Sequence, residues 1–474
     1  NHPTRFSRGY HRAKRERHSR SQAWRSRYGG HFDSGTLHNA ERGGPTLKLA
    51  EWFALRETSY IRQRALTLLD RYGLTPAKAE ERIDSCLSML AEYGCTPTFP
   101  TPARVVQHHH TFITRVQSAG AEIAVHGFDH VDLGVYKPED ASQQLLRAAQ
   151  VFAEYGIGVY GFRCPYLRCP SGLHEALPEN SFDYSSNRAI WWDVVPTGAI
   201  SRASKSFGIL KNFYQPTPSA ETACVPWIRS GIVEIPVSLP DDLQIYDGLH
   251  LGAEGMAQIW TEILHRTYRR GELFVLQFHP ELAWRCQQPF RAVLEEARQL
   301  NPAVWVARLR DIGQWWREKA AFQVTTSETP AGLRLSFSCS ERATILTRAI
   351  RESNQDSWDG IYHRLEGRTL NVPAQPRPFI GIAPEVPDRI ISFLTDQGYL
   401  LELGNRAQDC GIYLDATTLA NSPNQVQLVS LIENSTAPLV RYGRWPDGAR
   451  SAISITGDLD ALTLIDYITR LFIR

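Results

Sequence analysis

The sequence of 474 residues predicts an α/β fold, built as a parallel sheet or an α/β barrel. Short apolar runs alternate with stretches whose apolar residues recur at helical spacing, which is the pattern of strands joined by helices. Several of these runs end directly in an ionisable side chain. The chain is also long enough to bury one large core and to carry a second, smaller unit.

Two helical patterns, at 47–72 and 77–93, come before the alternation. The apolar runs that should form strands lie at 97–99, 122–125, 158–162, 182–185, 232–237, 273–278 and 304–307. The helices expected between them include 111–119, 138–155, 253–269 and 289–300. In an α/β barrel the carboxyl ends of the strands share one face, so the residues that follow these runs should lie together.

The chain changes character at about Phe322, where Thr, Ser and β-branched residues become frequent. This composition predicts a β-rich unit up to Pro376, followed by a small α/β piece. A last strand at 452–455 and a helix at 461–472 follow. We therefore expect a tail at 1–45, the main part of a barrel at 46–320, an inserted unit at 321–440 and a closing strand and helix at 441–474.

The formal net charge of +2 is close to balance, so the sequence indicates neither nucleic acid nor membrane as a general partner. The first thirty residues are the exception, because they carry many arginines and a single acidic residue, Glu16. Such a run predicts a solvated, disordered tail, with a basic arm for phosphate or anionic lipid as the alternative. No apolar stretch has the length of a transmembrane helix.

The cysteine pattern favours reduced thiols. The eight cysteines are scattered and form no CxxC pair, which argues against a disulfide scaffold and a structural zinc knuckle. We therefore expect a cytoplasmic protein. Because the chain begins with Asn, export directed by a signal that has been removed from this end stays open as the alternative.

Four apolar runs end in ionisable groups that a barrel would bring to one mouth: His126 with His130, Arg163, His279, and Asp458 with Asp460. Two histidines and one carboxylate form a facial set that leaves metal positions open. A second carboxylate can take a proton from water, and a further histidine can give one to a leaving group. The set is suited to hydrolysis of an amide or ester through a metal-activated water.

These segments resemble the motifs of polysaccharide deacetylases, the NodB-homology group of carbohydrate esterases. The HxxxH, RxPY, LxxH and TFDD motifs of that family are similar to His126-Gly-Phe-Asp-His130, Arg163-Cys-Pro-Tyr166, Leu276-Gln-Phe-His279 and Thr456-Gly-Asp458-Leu-Asp460. The resemblance covers about 47–319 and the last thirty residues. It implies a distorted (β/α) barrel of the NodB type.

The resemblance also implies residue roles. Asp460, His126 and His130 would hold a divalent metal, expected to be zinc, with cobalt, nickel or iron as alternatives. Asp458 would be the general base and His279 the general acid. Three further roles follow by resemblance: Arg163 would pair with Asp458, Tyr166 would offer its backbone N–H to the oxyanion, and the substrate would contact Pro165, Leu276, Asp183 and Trp191. Asp183, in a weaker motif, would tune Arg163 or His279.

The sequence departs from the family in three ways. Gly127 stands where the family usually has Ser or Thr. Gly457 and Leu459 alter the aspartate motif, so the base and ligand roles of the two aspartates are open to exchange. The aspartates come last in the chain rather than first. Circular permutation, in which 441–474 supply the barrel's first strand and helix, would explain this order; two incomplete modules are the alternative.

The expected function is removal of N-acetyl, or less readily O-acetyl, groups from an amino sugar or polysaccharide. The alternatives are hydrolysis of another non-peptide C–N bond on the same barrel, and a glycan-binding pseudoenzyme. Three smaller expectations remain: His108-His109-His110 would form a solvated helix face, Asp241 and Asp242 would either line the cleft or end a strand, and Glu281 would orient His279 or cap a turn. The sequence gives no oligomeric state.

Overall fold

A computed structural model describes residues 68, 71–201, 203, 205–350 and 355–470. The expected tail at 1–45 and nearly all of the expected helix at 47–72 lie outside these residues. Across the described part of the chain, none of the helices combines the length and the apolar character needed to cross a membrane. All eight cysteines are free thiols.

The strands are β1 (Thr98–Thr101), β2 (Glu122–Val125), β3 (Gly161–Phe162), β4 (Tyr184–Ser185), β5 (Ala189–Trp191), β6 (Thr217–Pro218), β7 (Trp227–Arg229), β8 (Ile232–Glu234), β9 (Val237–Leu239), β10 (Leu273–Phe278), β11 (Val304–Val306), β12 (Gln323–Thr329), β13 (Gly332–Ser338), β14 (Ile345–Arg348), β15 (Gln355–Ser357), β16 (His363–Leu365), β17 (Thr369–Val372), β18 (Arg377–Ile382), β19 (Leu401–Leu403), β20 (Cys410–Leu414), β21 (Leu439–Tyr442) and β22 (Ser451–Gly457).

The helices are α1 (Ala77–Ala91), α2 (Ala103–Ser118), α3 (Pro138–Glu154), α4 (Leu173–Ala176), α5 (Thr197–Ile200), α6 (Lys205–Phe213), α7 (Ala253–Arg270), α8 (Ala283–Gln299), α9 (Leu309–Ala320), α10 (Asp388–Asp396), α11 (Ala416–Asn421), α12 (Gln425–Glu433) and α13 (Leu464–Thr469). Helix α8 begins earlier than expected. Pro289, which suggested a helix start, lies inside it. The preceding residues join the helix because they include Ala283 and Cys286, which are buried in the core.

A curled, mostly parallel sheet forms the centre of the molecule, in the order β6-β5-β9-β10-β22-β1-β2-β3-β4-β8-β7, with β11 also paired to β22. Helices such as α2, α3 and α7 pack apolar faces onto the strands, in one continuous core. The inner strands β2 and β10 are buried along their whole length, as a covered parallel sheet requires. This arrangement confirms the predicted α/β fold with its mostly parallel sheet.

The last strand of the chain occupies the middle of this sheet. Strand β22 pairs in parallel with β10 from Ala452 to Gly457, and Thr456 pairs with Thr98 of β1. Beyond the strand, the Asp458 N–H donates to the carbonyl of Phe278 (3.0 Å) and the Leu459 N–H to that of Pro100 (2.8 Å). The chain beyond β22 is therefore held between the ends of β10 and β1.

Extra β units lie between α9 and β22. Two antiparallel sheets, β12-β13-β17 and β15-β16-β14-β21, are followed in the chain by a parallel sheet, β19-β18-β20, which carries α10, α11 and α12. These units have two apolar clusters of their own, one around Ile380 and Leu394 and one around Leu335 and Phe379. The expected β-rich and α/β elements are present, and the boundaries at 320 and 440 stay a prediction.

Candidate metal centre and active site

The loop after β2 places two histidines side by side. His126 is fully buried at the end of the strand, and Gly127 follows it with φ +77°. A Cβ at Gly127 would lie 2.9 Å from the carbonyl oxygen of Asp129. The loop therefore favours glycine where the family usually has a hydroxyl side chain, because both the left-handed backbone and the close carbonyl would strain any other residue.

The hydrogen bond of His126 determines which of its nitrogens is available. Its Nδ1 lies 2.8 Å from the carbonyl oxygen of Arg163. A carbonyl only accepts, so Nδ1 carries the proton and Nε2 keeps its lone pair. That lone pair faces Asp460, whose Oδ1 lies 3.4 Å from His126 Nε2 and 3.2 Å from His130 Nε2.

His126, His130 and Asp460 are all buried, and their ligand atoms lie within 4.8 Å of one another. Among the residues that the structure describes, neither His126 Nε2 nor Asp460 Oδ1 has a hydrogen-bond partner. Buried polar atoms are rarely left unpaired, and a divalent cation would satisfy both at once. Burial opposes ionisation of Asp460, but His130 and Arg470 outweigh it and hold its pKa well below the ordinary value. Burial and the Arg470 charge lower the pKa of His130 to about 4.

Asp458 lies beside these residues and is held through both carboxylate oxygens. The fully buried Arg163 donates from Nη1 to Asp458 Oδ1 (2.7 Å) and to Thr456 Oγ1 (3.0 Å). Ser186 accepts from the same guanidinium through its carbonyl and hydroxyl oxygens. Gln277 Nε2 donates to Asp458 Oδ2 (2.9 Å), which lies 3.9 Å from His126 Nε2. The carboxylate is thus fixed in plane and direction.

His279 follows β10 and pairs with Asp242. Its Nδ1 lies 2.8 Å from Asp242 Oδ1, and its backbone N–H donates to Oδ2 (2.9 Å). Burial alone would lower the pKa of His279, but the Asp242 charge and hydrogen bond raise it to about 10. Burial and the neighbouring Asp242 raise the pKa of Asp241 to about 7. The carboxyl ends of the strands therefore bring together a fixed carboxylate, a charged imidazolium and a candidate metal site.

A family model described as polysaccharide deacetylase matches residues 64–184, which include His126, His130 and the 163–166 loop. The chain contains a polysaccharide deacetylase domain. It is therefore a hydrolase of the carbohydrate deacetylase class. Asp458, Asp460 and His279 lie outside the matched range of this deacetylase domain, although the fold brings them to the matched histidines.

Solved structures show partial similarity to the deacetylase chain. Two proteins assigned as polysaccharide deacetylases, from Mycobacterium smegmatis and Pseudomonas aeruginosa PAO1, are 23% and 16% identical, with TM-scores of 0.40 and 0.39. The alignments cover 51% and 50% of this chain and 78% and 72% of theirs. Puue allantoinase is 17% identical, with a TM-score of 0.38 over 50% of this chain and 72% of its own. No curated protein sequence matches the chain.

The other substrate-site candidates of the deacetylase domain fall into two groups. Tyr166 has φ +61°, and its ring packs edge-on against His130, with centroids 4.6 Å apart. Pro165 is buried beside Gly127, and Leu276 is buried in β10. Trp191 ends β5 and lies under the Lys211 ammonium, 4.4 Å from the ring centroid. Asp183, the remaining candidate, lies apart from them, before β4.

Asp183 precedes β4, so it lies at the opposite end of the strand from the residues that build the cluster. Its side chain is 53% exposed and faces Arg317, with 3.6 Å between the charged atoms. The contacts expected of Asp183 are made by other residues: Ser186 accepts a hydrogen bond from Arg163, and Asp242 pairs with His279. Glu281 likewise does not contact His279 by hydrogen bond, and it binds Arg71 and Tyr72.

Sequence reasoning missed Gln277, Tyr214 and Arg470. Gln277 is a polar residue within a fully buried strand, and this exception to the apolar run could have indicated a functional side chain. The pKa of Tyr214 is raised well above its ordinary value by burial and by Asp241, Asp458, Asp460 and Asp242, which places this ring among the acidic groups. His108 and His109 pair with Asp466 rather than forming only a solvated face.

Proposed function

We propose that the chain is a metal-dependent deacetylase that removes the N-acetyl group from an amino sugar within a glycan, with an O-acetyl ester as the less favoured substrate. The observation that carries this proposal is the convergence of His126, His130 and Asp460 with two buried, unpaired ligand atoms. Asp458 and His279 follow neighbouring strands at this same end of the sheet and can supply the proton transfers that amide hydrolysis needs.

The metal would be held by Nε2 of His126 and His130 and by Oδ1 of Asp460. Two imidazoles and one carboxylate suit zinc and leave positions open, while cobalt, nickel and iron accept the same donors. A divalent cation bound there would supply Lewis acidity toward a water and the acetyl carbonyl.

Asp458 would accept a proton from the attacking water. Its Oδ1 is engaged by Arg163, whereas its Oδ2 is the oxygen nearer to His126, at 3.9 Å from Nε2. Arg163 and Gln277 together prevent the carboxylate from rotating away from that position. The base therefore needs no reorganisation before the proton moves.

His279 would donate a proton to the leaving amine, which cannot depart as an anion. With a pKa of about 10 the imidazole is charged at neutral pH, and because Nδ1 faces Asp242, the proton on Nε2 is the one available. The backbone N–H of Tyr166 would stabilise the oxyanion. Pro165, Leu276 and Trp191 would form the apolar surface for the acetyl methyl group.

The proposal includes the domain division and circular permutation. Strand β22 completes the sheet between β10 and β1 and carries the aspartates to the histidines. A single barrel whose first strand comes last in the chain explains both observations. A second, truncated module would instead leave β10 and β1 of the first without this shared neighbour.

The test is release of acetate from chitooligosaccharide by the full chain, with and without added zinc. Acetate release that is lost with a chelator and in His126→Ala supports the proposal. Release of ammonia or formate from small amides, with glycans untouched, would favour another C–N hydrolase. Binding of the glycan without acetate release, and without stoichiometric metal, would identify a pseudoenzyme.

A further inference from the structure

Arg470 contacts two of the three proposed metal ligands. Its Nη2 lies 2.7 Å from His130 Nδ1, and its Nη1 lies 3.3 Å from Asp460 Oδ2. These are the atoms on the outer side of each ligand, since His130 Nε2 and Asp460 Oδ1 are the ones that face each other at 3.2 Å. The guanidinium therefore lies behind the ligands rather than in the position of a metal.

A short, well-anchored helix holds Arg470 in this position. Helix α13 begins with a reciprocal cap between Thr463 and Asp466. Asp466 also accepts hydrogen bonds from His108 Nδ1 (3.0 Å) and His109 Nε2 (2.8 Å) of α2. Four residues after this anchor, Arg470 reaches the metal ligands from the end of the helix, and only 15% of its side chain is exposed.

The direction of the Arg470 hydrogen bond determines the tautomer of His130. A guanidinium only donates, so His130 Nδ1 must accept. A neutral imidazole carries one proton, which in this arrangement lies on Nε2, the nitrogen that is 3.2 Å from Asp460 Oδ1. His126 has the opposite tautomer, because its Nδ1 donates to a carbonyl. Only His126 therefore presents a lone pair on Nε2 while the Arg470 contact is made.

We propose that Arg470 is a positioning residue that competes with the metal for His130. Metal binding through His130 Nε2 requires the proton to move to Nδ1, and this nitrogen can then no longer accept from Arg470. The guanidinium must withdraw, and its charge on Asp460 Oδ2 further weakens that ligand. The inference rests on the proposed metal site, and it assigns to this chain a weakly held, readily exchanged metal.

The test is the metal affinity of the full chain, freed of metal and titrated with Co²⁺ or Zn²⁺ against a chelating dye. We expect Arg470→Gln to bind on the order of tenfold more tightly than the wild type, the usual scale of an outer partner's effect on affinity. Arg104→Gln is the matched control, because Arg104 pairs with Asp129, next to His130, without touching a ligand atom (Nε to Oδ1, 2.8 Å). His126→Ala should abolish the site in both backgrounds.

Equal or weaker binding by Arg470→Gln would overturn the inference, as would an equal gain in Arg104→Gln, which would indicate long-range charge alone. A second readout needs no variant: ¹⁵N histidine spectra of the metal-free wild type should show His130 protonated on Nε2, and protonation on Nδ1 would refute the argument. If neither the wild type nor Arg470→Gln binds metal at a site that His126→Ala removes, the proposed function itself fails. If the wild type binds metal and the variant binds no more tightly, only the role of Arg470 fails.

Discussion

Asp242→Asn should remove the proton donor of the reaction without changing the shape of the site. Against the effect of burial, chiefly Asp242 raises the pKa of His279 from the ordinary 6.5 to about 10; since one pKa unit corresponds to 1.36 kcal/mol, the site's net preference for the charged imidazole is about 5 kcal/mol. In the variant, only the smaller contributions of Glu281 and Asp460 oppose burial, so we expect the pKa of His279 to fall to the region of 6.5 or below. The histidine should then be mostly neutral at pH 7.5.

The expected loss grows with pH. Wild-type His279 stays protonated up to about pH 10, whereas a pKa at or below 6.5 leaves about a tenth of the variant protonated at pH 7.5 and about a hundredth at pH 8.5. The ratio of wild-type to variant kcat for acetate release should therefore rise about tenfold per pH unit over this range. A raised pKa stabilises the fold most below pH 6.5, and this stabilisation is lost as pH rises through about 10.

Asp183→Asn is the control for this series. Asp183 is a half-exposed carboxylate at the far end of β4, so its replacement should leave the pH profile of acetate release unchanged. A ratio that stays constant between pH 6 and 9 in Asp242→Asn would refute the assignment of His279 as the proton donor. So would a loss of the same size in Asp183→Asn.

Three further predictions follow from the site. His126→Ala should lose stoichiometric zinc by elemental analysis and with it most acetate release; retained zinc would exclude His126 as a ligand. Gln277→Leu removes the hydrogen bond to Asp458 Oδ2, worth about 1.5–3 kcal/mol to a charged group, and should lower kcat ten- to a hundredfold with little change in KM; an increase in KM alone would assign Gln277 to substrate binding. Gly127→Ser, which restores the residue type common in the family, should lower the free energy of unfolding by about 1–3 kcal/mol and with it the thermal midpoint, because φ is +77° and the new Cβ would meet the Asp129 carbonyl; an unchanged midpoint would contradict this strain.

Most of the site residues could be predicted because they follow the ends of predicted strands. The runs before His126, His279 and Asp458 form strands that are buried along their whole length, and their bounds in the structure agree closely with the sequence. Because parallel strands end at one face, these residues could be expected together without knowledge of the sheet order. Asp183 was expected in the site only from a weaker family motif, and it lies one residue before β4, at the far end of this short strand.

Partners supplied by loops and by the chain's distant segments were harder to predict. Asp242 follows β9, but nothing in Leu239-Pro-Asp-Asp indicates that its carboxylate reaches His279 rather than ending the strand. Arg470 lies one residue beyond a six-residue helix, where an arginine usually interacts only with the helix end. The departures at Gly127 and Gly457 became clear only from packing, since a Cβ at Gly457 would lie 2.8 Å from the ring of Phe99.

The position of β22 between β10 and β1 has a consequence for how the protein is made. During synthesis, residues 1–450 leave the ribosome before the strand that separates β10 from β1 exists, so both strands then present open edges in the middle of the future sheet. Such edges favour pairing with other chains, and the same chain still lacks Asp458 and Asp460. A chain that ends before residue 451 would therefore lack both aspartates of the proposed site, and we expect it to be prone to aggregate; the sheet can close only when residues 451–460 arrive.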